Sequence, residues 1–276
     1  MSETDLGRKV RRLREILASL GEVVIAFSGG VDSSYLLAEA AAVLGPSRVA
    51  AVTIDSPLLP RTELEMARCV AAQLGVEHRI VHLDELGQEP IASNPPDRCY
   101  YCKRFRFESV QVRAAEAFPG RVLLHGENGD DHLDYRPGSR AAAELGVRAP
   151  LAEAGLTKEE IRQLSKLRGL PTWDLPAEAC LATRFPAGVA LSAEGLARVE
   201  RAEVALRGLL GRGGLRVRDH FPLARLELPV DLIPVVAQTP LRERVVQVIH
   251  ECGYRYVTID LDGYRMGSMN EQPRTS

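Results

Sequence analysis

Apolar and polar positions along the chain follow two rhythms. Residues 6–20 carry a helical repeat broken by charged positions, and residues 23–27 form a continuous apolar run of strand length. Helix is predicted again at 33–44 and at 62–74, where Leu64, Ala67, Val70, Ala71 and Leu74 share one face. Strand-like runs follow at 49–54, 78–83 and 121–125, with a helix at 102–117 before the last of them. An unbroken run such as Val23 to Phe27 fits a strand covered on both faces. Strands separated by helices predict an α/β fold with a doubly wound parallel sheet, which receives its ligand at the carboxyl ends of the strands.

The rhythm changes near Pro186-Ala187-Gly188. A charged helix at 193–210 leads into the turn Gly211-Arg212-Gly213-Gly214. Alternating strands are predicted at 215–220, 224–228 and 255–261, with a helix at 241–252 between the last two. A domain of residues 1–188 and a smaller α+β domain of residues 189–276 are therefore expected. No internal repeat or low-complexity segment interrupts them.

The apolar run at 23–27 breaks into Ser28-Gly29-Gly30-Val31-Asp32-Ser33-Ser34, and a helix opens there. Two glycines allow a tight turn and close approach of backbone to ligand. A turn between strand and helix aims N–H groups and the positive dipole end at one spot, which suits a phosphate. The pattern is not a Walker A loop, because no Gly-Lys-Ser/Thr follows, and it lacks the third glycine of a dinucleotide fingerprint. An acid at Asp32 makes sense beside phosphates if magnesium lies between them; on its own it would serve equally as a dipole partner. Ser28 to Ser34 resembles the PP-loop of the ATP pyrophosphatase superfamily. That resemblance implies cleavage of ATP between the α and β phosphates, with AMP left on a substrate oxygen and pyrophosphate held by the loop.

The chain has 276 residues, 45% apolar and 26% charged, enough to bury a large core. Its net charge of −2 gives no bulk attraction to nucleic acid. No apolar stretch has the length of a membrane span, and residues 1–20 read as a charged amphipathic helix instead of a signal sequence. A cytoplasmic protein without membrane or nucleic-acid partners is expected, its five cysteines reduced.

Cys99 and Cys102 stand at a predicted helix start after Pro95-Pro96, with Asp97 as a candidate N-cap. Three apart, they face the same way. The helix dipole with Arg98, Lys103 and Arg104 should lower their thiol pKa values. A Cys-x-x-Cys pair suits half a zinc site, a redox couple or cluster ligation, or arises by chance. No second pair supports zinc, and the motif lies too late in the chain for a thioredoxin-like unit. Cys180 sits in a proline-flanked loop with Trp173, the one tryptophan of the chain, a poor place for a packing residue. Three thiolates meeting at the sheet edge would leave one iron of a four-iron cluster open to sulfide. Cys69 and Cys252 read as buried small hydrophobes.

Further segments identify a family resemblance. They include Asp55-Ser56-Pro57, Asp130-Asp131, Asp134-Tyr135-Arg136-Pro137-Gly138, Leu164-Ser165-Lys166 and Thr172-Trp173-Asp174. Ala179-Cys180-Leu181, Arg216-Val217-Arg218-Asp219-His220 and Leu261-Asp262-Gly263-Tyr264-Arg265 complete the set. With the PP-loop these resemble the LarE family of ATP-dependent sulfur transferases over nearly the whole chain. Two departures stand out: His125-Gly126-Glu127-Asn128-Gly129 where Asp-Gly-Thr-Asn-Ala is more usual, and Ala187 where an aromatic is expected.

The resemblance implies sulfuration of the carboxylates of pyridinium-3,5-biscarboxylic acid mononucleotide, a precursor of the nickel-pincer nucleotide cofactor. It implies ATP and Mg²⁺ as cofactors, pyrophosphate in Ser28, Gly29, Gly30, Asp32, Ser33 and Ser34, and magnesium near Asp32. The substrate carboxylate would attack the α phosphate to give an acyl-adenylate. Sulfur would come from a 4Fe–4S cluster on Cys99, Cys102 and Cys180 that binds sulfide, or by sacrifice of the Cys180 sulfur. Arg216 and Arg218, two apart on one strand and so on one face, would hold the substrate phosphate, with Arg184 as a further candidate. Without the family, two such arginines read as a solvated polar face. Glu200 and Glu203 fit a metal site, a substrate contact or an exposed helix face. A homo-oligomer, such as a hexamer, is also implied. The rival readings are a tRNA-thiolation enzyme, an amide-forming synthetase and a non-catalytic nucleotide-binding module.

Overall fold

The computed structural model describes residues 4–130, 137–176, 179–211 and 213–265, with the side chains of 137–139 left aside. Asp131, Asp134, Tyr135 and Arg136 lie outside the described residues. The elements run α1 (Asp5–Leu20), β1 (Val23–Ala26), α2 (Val31–Leu44), β2 (Val49–Asp55), α3 (Arg61–Leu74) and β3 (Glu77–His82). Next come α4 (Glu89–Ala92), α5 (Arg98–Ala117), β4 (Val122–His125), α6 (Pro137–Glu144), α7 (Pro150–Glu153) and α8 (Lys158–Leu167). The remainder is α9 (Ala193–Leu210), β5 (Arg216–His220), β6 (Leu223–Glu227), α10 (Ile233–Val236), α11 (Leu241–Glu251) and β7 (Tyr256–Ile259). Among the described residues no helix is long and apolar enough to cross a membrane.

Two units divide the chain, residues 1–85 with 97–178, and residues 86–96 with 179–276. The first is built on a four-stranded sheet of order β3-β2-β1-β4, every pair parallel. Its alternation sorts the core into two layers. Val23, Ile25, Val49 and Ala51 face one way and pack with Leu13 and Leu17 of α1, Leu36 and Leu37 of α2, and Val70 of α3. Val24, Ala50, Val52 and Ile54 face the other way, onto Phe107, Val110 and Ala114 of α5. Coverage on both faces is why these strands read as continuous apolar runs. The strand order reverses beside β1, where the chain leaves β3 and returns as β4, and such a switch point opens a crevice at the strand ends.

The second unit carries a sheet of order β5-β6-β7, antiparallel between β5 and β6 and parallel between β6 and β7. Val217, Ala224 and Leu226 pack there with Leu206 of α9, Val236 of α10 and Val245 and Ile249 of α11.

Candidate active site

The turn after β1 has the shape its sequence demands. Gly29 has φ of +77°, and a Cβ there would lie 2.8 Å from the Ala67 nitrogen and 2.9 Å from the Glu63 carbonyl oxygen. Only glycine lets α3 close against the loop in this way. Gly30 is the N-cap of α2, and no side chain caps that helix. Its first amides are thus left for an incoming anion. The Ser33 hydroxyl donates to the Gly30 carbonyl at 3.3 Å, leaving the Ser28 hydroxyl to donate to Ser33 across 3.1 Å. Ser34 is turned inward, fully buried, its hydroxyl without a hydrogen-bond partner among the described residues.

The strand behind the loop is tied in place. Thr53 on β2 donates to the Phe27 carbonyl at 2.7 Å, so its oxygen must accept from His78 Nε2–H at 2.8 Å, which sets the tautomer. Burial, aided by Arg68, holds the His78 imidazole below its usual pKa and so neutral.

From the far side, the segment after β4 closes on the start of α2. A Cβ on Gly126 would sit 2.8 Å from the Ser33 nitrogen, so the backbone there passes directly over the loop. Lys158 opens α8, and its ammonium lies 2.6 Å from Asp32 Oδ2. The Lys158 backbone N–H is held by Asp130 Oδ2 at 2.8 Å. Thr157 and Glu160 form a reciprocal capping box at this helix start, which fixes the direction of the lysine's own turn. Spacing alone gives no hint that Lys158 meets Asp32, although Thr157-x-x-Glu160 is a legible helix start.

His125 and Glu127, where the sequence departs from the family pattern, are both buried, with Nε2 and Oε2 3.4 Å apart. That gap is too wide for a good hydrogen bond, and burial together with the Lys103 charge drives the His125 pKa down to about 4.

Two of the predicted thiols stand near the start of α5, as its second and fifth residues. Cys99 is exposed and Cys102 is buried. The Cys102 thiol donates to Glu85 Oε1 at 2.9 Å, a carboxylate with no exposed surface. Arg106 grips the same carboxylate from Nε at 2.7 Å and Nη2 at 2.8 Å, and the Ser56 hydroxyl donates to its other oxygen. Burial alone would raise the Glu85 carboxyl, but the Arg106 charge and these hydrogen bonds together hold it below the ordinary range. Asp97 is the N-cap of α5 without a side-chain cap bond, and the helix begins at Arg98, earlier than the spacing suggested.

In the second unit Cys180 is half-buried and precedes a 3₁₀ turn, Leu181–Arg184. Arg184 has no exposed surface and is engaged on every side. It bonds both Glu203 oxygens at 2.9 and 3.0 Å, the Cys180 carbonyl at 3.1 Å and the Thr183 hydroxyl at 3.0 Å. Its clear structural work is to fold the Cys180 loop. Glu203 also receives Arg207 at 3.0 Å and the Val217 N–H at 3.1 Å, so it is buried and fully occupied instead of lying on an open helix face. Arg216 and Arg218 are buried too, unlike a solvated strand face. Arg216 donates to the Leu215 carbonyl at 2.8 Å, and Arg218 donates to the Thr183 carbonyl at 2.9 Å and pairs with Glu227.

Cys69 is a correction: it is exposed, because it falls on the outer side of α3, whereas Cys252 is buried as expected. Among the described residues no group of three or more His, Cys, Asp or Glu side chains is gathered in a way that could hold a metal.

A family model described as asparagine synthase matches residues 11–133, which span β1 to β4. An uncharacterized protein of Synechocystis sp. is 43% identical over 265 residues, covering 96% of this chain and 98% of the relative. An uncharacterized protein of Methanocaldococcus jannaschii is 31% identical over 88% of this chain and 91% of its own length. The pyridinium-3,5-bisthiocarboxylic acid mononucleotide synthase of Lactiplantibacillus plantarum is 38% identical over 266 residues, 96% of this chain and 95% of that protein. Likeness at that level, end to end and including the loop after β1, means that the chain belongs to the LarE family of PP-loop, ATP-dependent sulfur transferases.

Proposed function

We propose that the protein adenylylates a carboxylate of pyridinium-3,5-biscarboxylic acid mononucleotide and exchanges its oxygen for sulfur, in the assembly of a nickel-pincer nucleotide cofactor. The observation that carries the reading is the uncapped start of α2 with Asp32 and Lys158 beside it, in a chain that matches the Lactiplantibacillus synthase along its length.

The α2 amides and the Ser28 and Ser33 hydroxyls receive the departing pyrophosphate. Asp32, an oxygen donor at the mouth of this cradle, fits a hard cation; Mg²⁺ bound there would neutralise the phosphates. Lys158, paired with Asp32 here, would turn its ammonium to the α phosphate when Asp32 serves as a cation ligand. The substrate carboxylate attacks the α phosphate and pyrophosphate leaves. Carboxylate oxygen is a poor leaving group and AMP a good one, so the adenylate opens the carbonyl to sulfur. Arg216 and Arg218 hold the substrate phosphate, with Arg184 fixing the loop that carries Cys180.

For the sulfur, Cys99 and Cys102 fit a soft metal by chemistry, two thiols one helical turn apart. With Cys180 they would hold a 4Fe–4S cluster, which supplies an iron with an open position for sulfide. A second reading, sacrifice of the Cys180 sulfur, is favoured by one observation: the Cys102 thiol is committed to Glu85. Anaerobic purification followed by iron analysis and an ultraviolet–visible spectrum separates the two. Iron-free, colourless protein that loses one sulfur per turnover supports sacrifice and overturns the cluster. Release of AMP with tRNA and none with the pyridinium dicarboxylate would overturn the substrate assignment.

A further inference from the structure

Cys99 and Cys102 differ in a way that spacing conceals. Cys99 is exposed, and Cys102 keeps 7% of its surface. They are the second and fifth residues of a helix of 20 residues. Residues three apart on a helix have Cβ atoms about 5–6 Å apart, and a disulfide needs roughly 4 Å. Closing the gap asks the start of the helix to tighten. Its N-cap Asp97 makes no side-chain cap bond, and the Tyr100 N–H bonds the Asp97 carbonyl at 2.9 Å in the tighter 3₁₀ manner.

The two sulfurs also have different surroundings. Arg98 Nη2 lies 3.7 Å from Cys99 Sγ, beside the positive end of the helix. Cys102 Sγ is oriented by Glu85 at 2.9 Å, and Glu85 in turn by Arg106 and Ser56. An accessible sulfur next to a cation, backed by a fixed inner thiol, is the layout of an attacking and a resolving cysteine.

We infer that Cys99 and Cys102 close into a reversible disulfide when no metal occupies them, with a small-molecule disulfide such as oxidised glutathione as oxidant. Cys99 Sγ attacks one sulfur of glutathione disulfide, and the first glutathione leaves as a thiolate. Cys102 Sγ then attacks Cys99 Sγ, breaking the mixed disulfide. The second glutathione departs and takes up the proton that Cys102 gives up. The protein thiols lose two electrons and two protons, and one glutathione disulfide becomes two glutathione thiols. The linkage stands on the geometry around the start of α5, with Glu85 behind Cys102, and not on the cluster. Its consequence, loss of two cluster ligands and arrest of sulfur transfer under oxidising conditions, rests on the proposed cluster.

Trypsin cleaves after Arg98 and Lys103, so both sulfurs fall on the peptide 99–103. Metal-stripped protein is equilibrated in glutathione redox buffers, digested and weighed. The wild type should give this peptide two hydrogens lighter, restored by dithiothreitol. Cys102→Ser should instead retain glutathione on Cys99, and Cys99→Ser should leave Cys102 unmodified, with circular dichroism showing both variants folded. Cd²⁺, read by its thiolate absorbance, should bind the reduced protein and lose its contribution from this pair after oxidation. A wild type that keeps glutathione on Cys99 as Cys102→Ser does, or that links Cys99 to another cysteine, overturns the inference. Absence of iron or of sulfur transfer in the fully reduced protein would instead count against the proposed function and leaves the disulfide standing.

Discussion

Lys158→Ala separates a cation that serves the reaction from one that merely pins the fold. The ammonium and Asp32 Oδ2 are 2.6 Å apart, with side chains 32% and 18% exposed. A pair this open to water contributes about 0–1 kcal/mol to stability. Its loss should therefore leave the unfolding free energy within about 1 kcal/mol of the parent. The α phosphate is a different setting, because a prepositioned charge there acts on a centre whose charge redistributes in the transition state. Removing one such contact costs about 3–4 kcal/mol, or roughly 10²–10³-fold in kcat. The expected signature is a large kinetic defect on an intact fold. Pyrophosphate release with saturating ATP, Mg²⁺ and substrate measures the first, and urea unfolding followed by circular dichroism the second. Lys158→Arg should recover part of the rate, since it restores charge with a different shape. The reasoning fails if kcat stays within about threefold of the parent, or if stability falls by more than about 2 kcal/mol, which would make the lysine a structural one.

Three further outcomes are expected. Glu203→Gln leaves the fully buried Arg184 guanidinium without its countercharge, so denaturant unfolding should show a loss of about 3–5 kcal/mol; a loss under 1 kcal/mol would contradict the buried-pair assignment. Gly29→Ala demands a left-handed residue at φ +77° and a Cβ 2.8 Å from the Ala67 nitrogen. Calorimetry should show ATP binding weakened by at least about tenfold, and unchanged affinity would mean the loop is not a close-approach site. His125 accounts for a specific acid sensitivity. Its pKa is about 4 folded against 6.5 as the ordinary value, so the unfolded chain takes up a proton that the folded one refuses. Stability should decline as pH falls from 6.5 to 4, by up to about 3 kcal/mol. His125→Asn should flatten that slope, and a parallel pH profile would refute the assignment.

The parallel sheet was legible because strands covered on both faces lose their alternation, as Val23 to Ala26 and Val49 to Asp55 do. The glycine turn was legible because two glycines between a strand and a helix demand a tight bend there. Charged residues inside the fold were not. Arg184 and Arg218 carry no mark of burial in sequence, since their carboxylate partners Glu203 and Glu227 come from α9 and β6. Glu85 follows Leu83-Asp84 like an ordinary loop acid, and only the return of α5 with Arg106 and Cys102 encloses it. The Asp32–Lys158 pair is hidden for the same reason, as a contact made by topology. The parallel placement of β7 beside β6 depends on α11 crossing between them, which alternation of apolar positions does not encode.

That long-range pair also bears on synthesis. Asp32 and Lys158 are 126 residues apart, and at about 5–20 residues per second the ribosome needs roughly 6–25 s to make the stretch between them. Throughout that interval the nascent chain has its phosphate turn outside but lacks the lysine assigned to the α phosphate. Cys99 and Cys102 emerge within the same window. On the proposed role of Lys158, the growing polypeptide cannot spend ATP on an acid before the helix with Cys99 and Cys102 has been made.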